Sequence, residues 1–94
     1  MSTKIMNGKQ LQKQILDWIT AKGGYPVNII VASRSGTHDI IACMDGHFYS
    51  IEVKGVRDTV KQLQTVKAKQ VIAAGGTAII AYSLDDVRQR VRGV

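Results

Sequence analysis

The chain has 94 residues, 45% of them hydrophobic and 21% charged, with a mean hydropathy near zero. That is enough for one core that buries roughly 60 to 65% of the unfolded surface, too little for two domains, and unlike disordered, collagen-like or coiled-coil sequences. One cysteine excludes an internal disulfide and a thiolate metal cluster, and a net charge of +6 makes a polyanion such as nucleic acid the first partner to test against simple solubility.

In chain order, Leu11, Ile15, Trp18 and Ile19 lay an apolar stripe along a helix from Lys9 to Lys22, which Gly23-Gly24 ends. The β-branched run Val27 to Ser33 predicts a strand, and Ser33 to Thr37 a loop. Two apolar stretches, His38 to Met44 and His47 to Lys54, flank Asp45-Gly46 and predict a hairpin with a two-residue turn in which both positions need positive φ. Thr59 and Gln62 read as a capping box for a helix to about Ala74, with Val60, Leu63, Val66, Val71 and Ala74 as its apolar stripe. Thr77 to Tyr82 is a fourth, buried strand, and Ser83 with Asp86 caps a short last helix to about Val91. The order α-β-β-β-α-β-α describes an α/β domain, a mixed β-sheet flanked by helices, with a parallel crossover between the third and fourth strands. No apolar run approaches the eighteen or so residues of a membrane span. The polar residues Asn7 to Gln10 fall where a secretory signal would be apolar, so an intracellular location is expected.

A two-residue turn fixes the hairpin register, with Met44 opposite His47, Cys43 opposite Phe48, Ile41 opposite Ser50, and Asp39 opposite Glu52. Two carboxylates that face each other at roughly 5 Å repel by about 3 kcal/mol at an effective dielectric near 20. A divalent cation between them turns that repulsion into coordination, and hard oxygen ligands favour Mg2+ or Mn2+. The bland alternative is relaxation into water or pairing with Lys54 or Arg57. Strand alternation sends His38 to the face opposite Asp39. Cys43 reads as core, and so do most of the aromatic residues, which leaves no stacking platform for single strands.

Asp39, followed after thirteen residues by Glu52-Val53-Lys54 and then by a helix with Gln64, resembles the Asp … Glu-x-Lys core of the PD-(D/E)XK nuclease superfamily. More narrowly, Gly36-Thr37-His38-Asp39, Phe48 to Gly55, Leu63-Gln64 and Ala73 to Gly76 are similar to the stand-alone virus-type replication-repair nuclease (VRR-NUC) domain. The resemblance implies a restriction-endonuclease-like core and a metal-dependent phosphodiesterase. Asp39, Glu52 and the Val53 carbonyl would hold Mg2+ or Mn2+, and Lys54 would sit beside the attacking water. For Gln64, a hydrogen bond at the core margin competes with the place near the scissile phosphate that the resemblance implies. By the same analogy the substrate is branched DNA such as a Holliday junction, cut by a homodimer like those of stand-alone viral members.

The sequence departs from the family in two places. The first helix offers Gln10 and Gln14 where members carry a metal-binding Glu, and His38 replaces the usual Pro before the first Asp. For Gln14, a solvated or capping role outweighs ligation through a neutral amide. Arg34, Arg57 and Lys61 flank the carboxylate end of the hairpin, where they hold phosphates or remain solvated charges. The 33–37 loop lacks the glycine spacing and the Lys of a Walker motif, so no nucleotide cofactor is expected. Arg88, Arg90 and Arg92 read as favourable charges at a helix end. A non-catalytic nucleic-acid-binding subunit on the same fold is the competing reading.

Overall fold

The structure, a computed structural model, describes residues 7–55 and 58–91. Its elements follow in the expected order: α1 (Gly8–Ala21), β1 (Tyr25–Asn28), β2 (Ile40–Met44), β3 (His47–Val53), α2 (Gln62–Ala73), β4 (Thr77–Ala81) and α3 (Leu84–Arg88). The strands form one sheet in the order β1-β2-β3-β4, antiparallel except for the parallel β3–β4 pair.

α1 starts at Asn7, whose side chain accepts from the Gln10 backbone N–H at 2.9 Å while the Gln10 side chain accepts from the Asn7 N–H at 3.1 Å. This reciprocal box satisfies two donors that a helix start would otherwise leave open, and it commits Gln10 to capping. Leu11, Ile15 and Ile19 then bury the stripe of α1 against Ile40, Ala42, Met44, Tyr49, Ile51, Val53, Ile79 and Ala81 of the sheet, with Val87 and Val91 closing the end. Each fully buried Ile or Leu removes apolar surface worth roughly 1.5 to 3 kcal/mol, so this layer holds the sheet in place.

The hairpin has the expected turn, with Asp45 at φ 51° and Gly46 at φ 75°. Its register is the expected one from Met44 opposite His47 to Ile40 opposite Ile51. Alternation then divides β3: Tyr49, Ile51 and Val53 enter the α1 core, while Ser50 and Glu52 take the opposite face, on which α2 lies.

Four expectations change. The first expected strand, Val27 to Ser33, is instead Tyr25–Asn28, and Ile30 and Val31 are 87% and 89% exposed. β1 is an edge strand paired only with β2, and that partner ends at Ile40, so after one further bond from the Ile29 N–H to the Asp39 carbonyl the β-branched Ile30 and Val31 have no ladder to join. α2 starts at Lys61, with the Gln64 side chain accepting from the Lys61 N–H at 3.0 Å, in place of the Thr59–Gln62 box. The expected α2 stripe is shallow: no α2 residue is buried, and Leu63, Val66 and Ile72 are exposed, as is Val60 before the helix. Cys43 and Phe48 face each other in the exposed part of the hairpin's α2-side face, and Tyr25 and Tyr82 are exposed as well, so neither Cys43 nor most aromatic residues are core.

Among the described residues, no helix is long and apolar enough to cross a membrane.

Candidate active site

Beyond the Ile40–Ile51 pair the ladder stops, and Asp39 uses its side chain where a strand would use its backbone. Its Oδ2 accepts from the Val53 N–H at 2.9 Å, and its carbonyl accepts from the Ile29 N–H at 2.7 Å. Asp39 is thereby tied to both flanking segments, with its carboxylate drawn toward β3. Glu52 and Lys54 lie two residues apart on β3 and its extension, and Lys54 keeps the sheet connection through its N–H to the Ala81 carbonyl at 2.9 Å. Asp39, Glu52, Val53, Lys54 and Gln64, together with Asp58, Thr59 and Lys61, line one cleft of about 450 Å³.

Glu52 and Lys54 are only 4% and 6% exposed. Charges that deep need partners. Lys54 Nζ lies 3.4 Å from Glu52 Oε2 and donates to Gln64 Oε1 at 2.8 Å. Gln64 Nε2 donates to Glu52 Oε2 at 2.7 Å, so one amide joins acid and ammonium and, through the Lys61 N–H, also caps α2. Glu52 Oε1 has no hydrogen-bond partner and is buried. Burial, and next the negative charge of Asp39, push the Glu52 carboxyl above its usual range, against the opposing pull of Lys54.

This donor set fits a hard cation: two carboxylates, one of them with an unsatisfied buried oxygen, beside the Val53 backbone. Among the described residues, no three side chains of His, Cys, Asp or Glu gather into a ligand cluster, so protein oxygens would supply only part of an octahedral shell and waters the rest. Asp58 lines the cleft, with Oδ2 accepting from the Gly55 N–H at 2.7 Å, and sequence reasoning did not single it out. Neither Gln10 nor Gln14 lines the cleft, so α1 contributes no ligand from those positions.

The basic residues separate. Lys61 borders the cleft. Arg34 lines a different cavity of about 510 Å³ between α2 and the hairpin, together with Phe48, Ser50, Lys67 and Val71. Arg57 lies outside the described residues.

His38 is the largest departure from the sequence reading. It is 1% exposed and on the Glu52 face, with Nδ1 2.9 Å from Ser50 Oγ and Nε2 3.0 Å from the Gln64 carbonyl oxygen. Alternation misplaced it because residues 38 and 39 precede the first residue of β2, where strand periodicity does not apply. Its signal in the sequence was a polar ring next to an all-apolar strand.

No family model matches the chain, and no curated protein matches it. A solved structure described as a VRR_NUC domain superposes with a TM-score of 0.74 at 19% identity, covering 87% of this chain and 90% of that one. The mixed four-stranded sheet and its flanking helices in the order α-β-β-β-α-β-α are therefore the fold of a VRR_NUC domain.

Proposed function

We propose that this chain is a metal-dependent endodeoxyribonuclease that hydrolyses phosphodiester bonds in branched DNA, with Asp39, Glu52, Lys54 and Gln64 as its working residues. The observation that carries the reading is the Glu52 carboxylate, buried beside Asp39 with Oε1 unsatisfied in a cleft that also presents a buried ammonium. A purely structural sheet gains nothing from such a group, whereas strained electrostatics of this kind mark sites of chemistry.

Asp39, Glu52 and the Val53 carbonyl would hold Mg2+ or Mn2+, which when bound lowers the pKa of water and polarises the phosphoryl oxygen. The Val53 N–H fixes Asp39, and Gln64 fixes both Glu52 Oε2 and Lys54 Nζ, so the site is organised before substrate arrives. Lys54 places one positive charge beside the attacking water and against the charge that grows on phosphorus. Lys61 at the rim, Arg34 across α2 and Arg57 supply charge for the phosphate backbone, in keeping with the net charge of +6. A two-fold homodimer sets two sites on two strands, and the exposed apolar side chains of α2 offer surface for it.

The test is cleavage of linear, forked and four-way DNA with Mg2+, Mn2+ or chelator, alongside a solution mass. Metal-dependent incision of branched substrates by a dimer is expected. That no third ligand clusters with Asp39 and Glu52 among the described residues favours one competitor, a non-catalytic DNA-binding subunit. Metal-independent, salt-sensitive binding with no product over long incubation would establish that competitor instead.

A further inference from the structure

α2 carries Gln64 into the cleft, yet no residue of α2 is buried, so apolar packing gives the helix no deep anchor. Two other features locate its first turns. A Cβ added at Gly36 would lie 2.6 Å from Leu63 Cγ, so the loop before β2 sits directly on the helix. Behind it, the His38 ring spans from Ser50 on β3 to the backbone of Gln64 itself.

The chemistry of that bridge is fixed. A carbonyl oxygen only accepts, so His38 Nε2 carries the proton and donates to Gln64, and in the neutral ring the Ser50 hydroxyl donates to Nδ1. The two ring nitrogens therefore measure a set distance between the sheet and the helix start. The Gln64 side chain continues the line to Glu52 Oε2 and Lys54 Nζ.

We propose that His38 is a positioning residue: a buried strut that holds the backbone of Gln64, and through its amide sets the orientation of Glu52 and Lys54. The strut itself rests on geometry, and only its effect on rate rests on the nuclease reading. Loss of a partner that orients a site group costs typically 10- to 100-fold in activity or affinity.

The test compares His38→Gln, His38→Asn and His38→Phe. The Gln amide nitrogen reaches about as far as Nε2 and can still donate to the Gln64 carbonyl. The Asn amide reaches only as far as Nδ1, and Phe fills the space without a donor. The first readout is the side-chain amide resonance of Gln64, assigned by its loss in Gln64→Ala. The second is single-turnover cleavage with its dependence on DNA concentration. In His38→Asn and His38→Phe the Gln64 amide should move to the position of a solvated glutamine. The cleavage rate should fall about 10-fold or more with the DNA dependence unchanged, and His38→Gln should restore both. A Gln64 resonance in His38→Asn identical to that of the unsubstituted protein, or His38→Gln behaving as His38→Asn does, overturns the strut. If His38→Phe does not fold, the Gln and Asn pair still decides. If the unsubstituted protein does not cleave, the nuclease reading fails and the resonance alone judges the strut.

Discussion

Replacing Gln64 with Ala removes three hydrogen bonds at once, to Glu52 Oε2, from Lys54 Nζ and from the Lys61 N–H. Two of the three involve charged groups, each worth roughly 1.5 to 3 kcal/mol, and the neutral cap bond adds about 0.5 to 1 kcal/mol. The cleft admits water, which re-solvates what the amide leaves behind, so the lower end applies and the expected loss is about 3.5 kcal/mol. Against a total of roughly 5 to 14 kcal/mol for a chain of this size that is a large fraction, and it lowers the melting temperature by about 14 to 28 °C. Urea unfolding at neutral pH without metal measures it, and a double-mutant cycle with Glu52→Gln isolates the Gln64–Glu52 coupling. Gln64→Glu sharpens the comparison, because it puts an acceptor and a negative charge where Glu52 Oε2 needs a donor. It should be less stable than Gln64→Ala at neutral pH and recover as the pH falls. A loss below about 0.5 kcal/mol for Gln64→Ala, the level of an ordinary surface change, would refute the network.

Asp39→Asn, Glu52→Gln and Lys54→Met should each lower single-turnover cleavage by at least about 100-fold while DNA binding in filter or fluorescence assays persists; retained cleavage in Asp39→Asn would remove it from the site. Because burial, then Asp39, raises the Glu52 carboxyl above its usual value near 4.5, its contribution to stability is fully present below that value and is lost as the pH rises through the raised one. Unfolding of the metal-free protein should show this loss, Mn2+ affinity should increase over the same interval as the ligand deprotonates, and Glu52→Gln should flatten both profiles. Cys43 is exposed, so a thiol reagent should titrate it in the native protein without denaturant; a reaction that waits for unfolding would return it to the core.

What the sequence disclosed followed from local rules. The Asp45-Gly46 turn sets the hairpin register without any reference to the rest of the chain, and the stripe of α1 is a clear helical period. The errors lie where a local pattern needed tertiary information. Ile30 and Val31 have β-branched side chains but no neighbouring strand, and only the sheet order reveals that. Thr59-x-x-Gln62 and Lys61-x-x-Gln64 compete for the same helix start, and the winner is the one whose Gln also reaches Glu52 and Lys54. Cys43 and Phe48 alternate as core residues would, yet they take the face that α2 covers only in part. Asp58 gave no pattern at all, because it enters the cleft from a loop.

The two amides of α1, Gln10 and Gln14, gain a physical meaning from this arrangement. Gln10 is spent on the helix cap and Gln14 stays out of the cleft, so the carboxylate pair is organised from the other face of the sheet. There Gln64 holds Glu52 without adding charge, and Lys54 offsets part of the repulsion from Asp39. A further carboxylate from α1 would raise the cost of keeping Glu52 ionised in the metal-free protein, whereas a neutral amide on α2 satisfies one oxygen and leaves the other open. The cleft therefore gains orientation from a neutral amide rather than from added charge. On the proposed strut, Gly36 and His38 rather than a buried stripe place the first turns of α2, and with them the Gln64 amide against Glu52 and Lys54.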